Sequence, residues 1–161
     1  QSRRIVLSDG NATRDSVGSI MLKQGNTCVI AIVQAQGTLV SENRGPILEE
    51  HEKDKDKDTP GLCECDVDVS ALCSSKLKSN VALKEESSRL SILLREYLQS
   101  ILDLTCLCIQ RDLLIWKLTV NVTVIDNDGN LEAAVLLAAY SALKRTRLPK
   151  ITIKHVSNSD S

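Results

Sequence analysis

The sequence predicts an α+β domain in which helices cover a mostly antiparallel or mixed sheet. Three observations carry this. Several segments alternate apolar and polar residues with a period of two and are rich in Val, Ile and Thr. Two segments repeat apolar residues at helical spacing. Their order is several strands, a helix, two strands, a helix and a last strand. The 161 residues suit one domain with its own core, placed at 1–156 and followed by a tail at 157–161.

The elements follow in order. RRIVLS, Arg3 to Ser8, reads as a short strand, and DGNATRDSVGS after it is a turn-rich connection. SIMLKQGNTCVIAIVQAQ gives two strands around Gly25-Asn26, a pair that tolerates the positive φ a tight hairpin demands. Val29 to Val33 is apolar on both faces, as in a central strand. From 41 to 61 the composition shifts to a charged run, EEHEKDKDKDTPG, which has no aliphatic residue to offset the entropy of ordering. It is expected to be a flexible surface loop, and its alternating Lys and Asp cancel one another's field. CECDVDVSAL, Cys63 to Leu72, is a half-buried strand with Asp66 and Asp68 on its wet face.

Leu83, Leu90, Leu94, Tyr97 and Ile101 mark an amphipathic helix over about 81–102, with Glu85 and Arg89 as an i,i+4 pair. LTCLCIQ and LLIWKLTVNVTVID form a strand pair turning at Arg111-Asp112. Leu131 to Arg145 is a second helix, apolar around most of its circumference, which predicts burial between layers. Leu148-Pro149 closes it, and KITIKHV is a final strand.

Composition narrows the function. Hydrophobic residues are 42%, charged residues 25% and aromatic residues 2%, with no Phe, so the core is aliphatic and a base-stacking platform is not expected. A net charge of -1 gives no bulk attraction to nucleic acid. Six cysteines occur without a Cys-x-x-Cys, and His51 and His155 are remote from them in sequence. Cys63/Cys65 and Cys106/Cys108 are i,i+2 pairs that read as buried reduced thiols on strands, so neither zinc nor a disulfide is expected and an intracellular protein is. No membrane-spanning stretch is present, and the Asn11 and Asn121 sequons read as coincidence. The first residue is Gln1 rather than Met, so residues before it are expected.

The sharpest motif is Asp126-Asn127-Asp128-Gly129-Asn130 before the second helix. A calcium loop with Gly129 at its sixth position would put Val124 and Val135 where its first and last carboxylates belong. No phosphate-loop pattern follows. The remaining reading is a strand-to-helix turn, with Gly129 supplying backbone freedom and Asn130 capping the first turn.

Taken in order, GSIMLKQGNTCVIAIVQAQ, VDVSALCSSKLKS and LCIQRDLLIWKLTVNVTVIDNDGNLEAAVLLAAYSALKRTRLP resemble a domain of the RNase PH family. Within it, LCSS at Leu72 to Ser75 resembles most closely the eukaryotic exosome-ring subunit family called ribosomal RNA-processing protein 43 or exosome component 8. The resemblance implies a β-α-β-α fold of the ribosomal protein S5 domain 2-like kind. It implies partners too: other RNase PH-like exosome subunits in a hexameric ring, with RNA passing through the assembled complex, and no membrane. The implied locations are nucleus, nucleolus and cytoplasm, and the implied processes are rRNA maturation and mRNA turnover. The family's Arg-Pro-Asp-Gly-Arg-like run is not found before the matched segments, nor its later strands and terminal helix after them. This implies a domain truncated at both ends, with an exposed apolar face and edge strand.

Active relatives degrade RNA from the 3′ end with phosphate. That chemistry needs cationic or N–H donors for phosphate and carboxylates for a divalent ion. Here the strand entering the turn reads Asn121-Val122-Thr123-Val124-Ile125, leaving Asp126 and Asp128 as vestigial catalytic candidates. The phosphate segment would fall near CSSKLKSNVALKEESSRL, which shows no Gly-Arg constellation. A non-catalytic ring subunit is therefore the leading reading, with no metal or other cofactor. Ser74, Lys76 and Lys78 are its RNA-binding candidates, against the alternative of a solvated basic turn. Lys144, Arg145 and Arg147 suit the negative end of the second helix's dipole. The runner-up is an active phosphorolytic exoribonuclease using Asp126 and Asp128 with magnesium. The third reading is an unrelated α+β binding module.

Overall fold

The structure is a computed structural model that describes residues 3–10, 15–43, 59–70, 73 and 79–152. Its strands are β1 (Ile5–Asp9), β2 (Ser16–Gln24), β3 (Thr27–Leu39), β4 (Leu62–Val69), β5 (Cys108–Gln110) and β6 (Leu114–Asp126), and its helices are α1 (Asn80–Ile101) and α2 (Leu131–Arg145). The sheet order is β1-β2-β3-β6-β4, with β5 on the end of β6. All pairings are antiparallel except β4 with β6, so the sheet is mixed, as expected.

Strand alternation decides where the core lies. Ile20, Leu22, Val29, Ala31, Val33, Val67, Val69, Val120, Val122 and Val124 all point to one face and are buried there. Both helices lie on that face. α1 buries Leu90, Leu94 and Leu98 against β4, and α2 buries Ala134, Val135, Ala138, Ala139 and Ala142 against β2 and β3. The small residues of α2 let it sit close. At Gly18 an added Cβ would lie 2.8 Å from the Ala142 carbonyl oxygen and 2.6 Å from Thr146 Oγ1. β3 takes the central place predicted for Val29 to Val33, but only one of its faces is fully covered; Ile30 and Ile32 are half-buried.

Several expectations change. α2 is covered by the sheet on one side only: Ala133 and Tyr140 on its outer side are exposed, because the described residues supply no second layer there. The buried stripe of α1 ends at Leu98, with Ile101 43% exposed, since the helix keeps strict i,i+4 contact with β4. Arg89 pairs with Glu86 at 2.8 Å and with Glu132 of α2 at 2.5 Å instead of with Glu85.

The expected Leu104–Gln110 strand is mostly a 3₁₀ turn, Leu104–Leu107. The Asp103 carboxylate accepts from Thr105 N at 3.0 Å and Thr105 Oγ1 at 2.6 Å, which curls the chain before pairing can begin. Cys106 is consequently exposed, and only Cys108–Gln110 remains as strand. Lys150 to Thr152 are not in a strand, and the rest of the expected final strand lies outside the described residues.

The charged centre of the 41–61 segment, 44–58, is likewise outside the described residues, while both flanks are built in. Val40–Asn43 forms a 3₁₀ turn. Buried Thr59 exchanges hydrogen bonds with Asp112, donating to Oδ1 at 3.1 Å and accepting from N at 3.0 Å. Gly61 N donates to the Leu104 carbonyl at 2.8 Å.

The candidate carboxylate loop and its relatives

The loop 126–130 hangs from the end of β6 and feeds α2, and the β2–β3 hairpin is folded against it. Gly25 takes φ +62° as the first of two turn residues between Gln24 and Thr27, the sign pattern of a type II′ hairpin. This brings Thr27 under the loop. Thr27 is fully buried; its Oγ1 accepts from Asp128 N at 2.9 Å and donates to the Gly129 carbonyl at 3.0 Å. Arg3 closes the loop from the other side, donating from Nη1 to the Asp128 carbonyl at 2.7 Å and the Gly129 carbonyl at 3.3 Å.

Within the loop the side chains act on their own backbone. Asp126 Oδ1 accepts from Asn127 N at 2.8 Å, and Asn127 Oδ1 accepts from Gly129 N at 2.9 Å. Gly129 stands at φ +97° and Asn130 at +57°, so two successive left-handed residues reverse the chain into α2. The turn reading therefore holds, but its capping detail does not. Asn130 makes no side-chain cap bond; its Nδ2 donates to Gln24 Oε1 at 3.5 Å. A left-handed residue at that position turns its side chain toward β2 rather than the first turn of α2.

Both candidate carboxylates are exposed. Asp128 Oδ2 accepts from Asn26 Nδ2 at 3.4 Å, and Asp126 is held by its own loop amide. Among the described residues, no three His, Cys, Asp or Glu side chains converge. Two carboxylates can share a magnesium ion that arrives with a phosphate group. Such a site also needs cations for the phosphate, and the Nη1 of Arg3 is directed at the loop carbonyls.

The segment after β4 reaches the same end of the sheet. Ser70 N donates to the Val124 carbonyl at 3.1 Å, and Cys73 is buried. Burial, with a smaller contribution from the Asp126 charge, pushes the Cys73 thiol up from its ordinary pKa. Ser74, Lys76 and Lys78 lie outside the described residues. Lys144 and Arg147 are exposed near the end of α2, and Arg145 pairs with Asp9. Asp66 and Asp68 are exposed on the open face of the sheet, as expected for its wet side.

At the far end of β4 a cleft of about 50 Å³ is lined by Cys63, Cys65, Arg95 and Gln99 together with apolar atoms. The two thiols share a hydrogen bond, which raises the pKa of Cys63 and lowers that of Cys65. Sequence reasoning missed Arg3 and Asn26 as holders of the carboxylate loop and the hydroxyl role of Thr27. The Gly25-Asn26-Thr27 run was visible as a turn, but nothing in the sequence ties it to a loop about 100 residues on.

Comparison with known proteins agrees with this architecture. The chain is 44% identical over 48 residues to the exosome complex component Rrp42 of Methanocella arvoryzae, a match covering 30% of this chain and 18% of that protein. Its fold superposes on the Archaeoglobus fulgidus exosome with RNA bound to the active site with a TM-score of 0.68 at 24% identity, covering 92% of this chain and 54% of that one. An archaeal exosome core gives 0.68 at 23% identity, covering 92% and 51%. Rice (Oryza sativa) Rrp46 gives 0.61 at 20% identity, covering 90% and 56%. The chain thus spans about half the length of these structures. Residues 1–149 match the family profile described as RNase PH, 3′ exoribonuclease family, domain 1, which removes the reading as an unrelated α+β module. The chain belongs to the RNase PH family.

Proposed function

We propose that this chain is a non-catalytic structural subunit of an RNA exosome ring, supporting 3′-5′ RNA processing through assembly and RNA channelling. Its partners are other RNase PH-like subunits, and RNA reaches it through the complex. The reading extends to rRNA maturation and mRNA turnover, in the nucleus, nucleolus and cytoplasm, with no cofactor of its own.

One observation carries the non-catalytic part. Asp126 and Asp128, the acidic residues left at the turn, already serve as acceptors, Asp126 for Asn127 N within the turn and Asp128 for the Asn26 amide of the β2–β3 hairpin. The strand positions before them that point away from the core are Asn121, Thr123 and Ile125, which supply no carboxylate. The ring membership is supported by the family match and by exosome subunits among the similar proteins.

The test is purification of the tagged chain from cells with identification of its companions, followed by RNA decay assays on the recovered complex. Exosome subunits are expected, and Asp128→Asn is expected to leave decay and assembly unchanged. Phosphate-dependent release of nucleoside diphosphates that Asp128→Asn abolishes would favour the phosphorolytic reading instead.

A further inference from the structure

In the cleft at the far end of β4, two thiols meet one guanidinium. Cys63 and Cys65 stand two residues apart on β4, so they share its helix-covered face with Val67 and Val69. Cys65 is buried and Cys63 half-buried, and both line the cleft together with Arg95 and Gln99 of α1. The thiols share a hydrogen bond, and the positive charge of Arg95 favours the Cys65 thiolate. Arg95 forms none of the salt bridges among the described residues, so no carboxylate there neutralises it. Glu64, between the cysteines, points to the other face and pairs with Lys117 at 2.8 Å.

A disulfide does not suit this pair. An extended strand rises about 3.3 Å per residue, which sets the two Cβ atoms about 6.6 Å apart. A disulfide needs a Cβ separation of about 3.5–4.5 Å. Closing one would pull β4 out of its register with β6, where Cys63 lies beside Leu118 and Cys65 beside Val120. A single atom held between the two sulfurs spans the gap with the strand in place.

We propose that Cys63 and Cys65 bind one monovalent copper ion as a two-coordinate bis-thiolate, with Arg95 as its counter-charge. Ligand number selects the ion. Zinc takes four ligands, and no three His, Cys, Asp or Glu side chains converge among the described residues. Two sulfurs alone suit a soft ion that accepts linear coordination, and thiolate softness favours monovalent copper. Charge agrees. Each thiol gives its proton to solvent, two thiolates and the ion carry a net charge of -1, and the guanidinium cancels it in a poorly hydrated cleft. Size agrees as well, since about 50 Å³ admits an ion and not an organic ligand. The cleft lies at the end of β4 away from the carboxylate loop, so the ion has no part in RNA chemistry. Ring membership and copper binding can each fail without the other.

The test uses the reduced 161-residue chain without oxygen. Monovalent copper is supplied as its acetonitrile complex, with bicinchoninate as the competing chromogenic chelator. One ion per chain is expected, with two sulfur neighbours by X-ray absorption at the copper edge. Cys63→Ser is expected to weaken binding by at least about a hundredfold with an unchanged circular dichroism spectrum. Arg95→Gln keeps both sulfurs and is expected to weaken binding about tenfold. Cys106→Ser, at the exposed thiol, is expected to bind as the wild type does. If Cys63→Ser does not fold, the sulfur count and the Arg95→Gln comparison decide. No copper held against the chelator, equal binding by folded Cys63→Ser, undiminished binding by Arg95→Gln, lost binding in Cys106→Ser, or a third sulfur around the ion would each overturn the proposal.

Discussion

Thr27 is the side chain on which the carboxylate loop depends. Its hydroxyl satisfies one loop N–H and one loop carbonyl from a fully buried position. Thr27→Val keeps the shape, leaves the Asp128 N–H without its partner and leaves the Gly129 carbonyl only the longer bond from Arg3, so unfolding in urea should show a loss of about 1–3 kcal/mol. Asp128→Asn removes only exposed charge and should cost less than about 0.5 kcal/mol in the same measurement. An equal loss from both would mean that the carboxylate holds the loop as much as the hydroxyl does. Gly129 gives a backbone control. At φ +97° an alanine is strained, so Gly129→Ala should cost about 1–2 kcal/mol. The sequence made the turn legible at this scale through Gly129 and its amide and acid neighbours. It did not make Arg3 or Thr27 legible, because their partners are brought near only by the pairing of β3 with β6.

Among the elements, the strands and helices were readable wherever period and length agreed. β2, β3, β4, β6, α1 and α2 all appear near their expected places. The Leu104–Gln110 segment was misread because an Asp103–Thr105 hydrogen bond outweighs strand propensity, a local competition that apolar alternation does not record. Arg89 links α1 to α2 across their exposed side, bridging Glu86 and Glu132. Hydrogen bonding from Arg89 holds the Glu86 carboxyl below its ordinary pKa. A carboxyl with a lower pKa folded than unfolded contributes stability above its unfolded pKa and loses it as pH falls through the folded one. Glu86→Gln should therefore lower stability at neutral pH and flatten its decline on the acid side of the usual glutamate range. The groups are largely exposed, so the loss is at most about 1 kcal/mol. A denaturation series across that pH range checks it; identical slopes for wild type and variant would remove Glu86 from the account.

At the scale of the whole molecule, β6 is the strand through which everything communicates. It pairs with β3, β4 and β5, and its end becomes the candidate loop. Its buried residues Val120, Val122 and Val124 touch the layer that carries both helices, so neither helix has a core separable from the other's. The expected behaviour is one cooperative transition rather than two. Val122→Ala tests this because Val122 is 1% exposed and lies between β3 and β4, opposite Ala31 on one side and Val67 on the other. Removing two methyl groups there should cost about 2–3 kcal/mol by lost burial and incomplete closure of the cavity. Far-ultraviolet circular dichroism reports chiefly on the helices, and fluorescence of Trp116, the single tryptophan, reports on β6. In the variant both signals should shift to lower denaturant by the same amount and remain superimposable. If the circular dichroism transition stays in place while the Trp116 signal moves, the helical layer holds without the sheet's centre. The candidate loop would then be anchored by α2 alone rather than by the strand that leads into it.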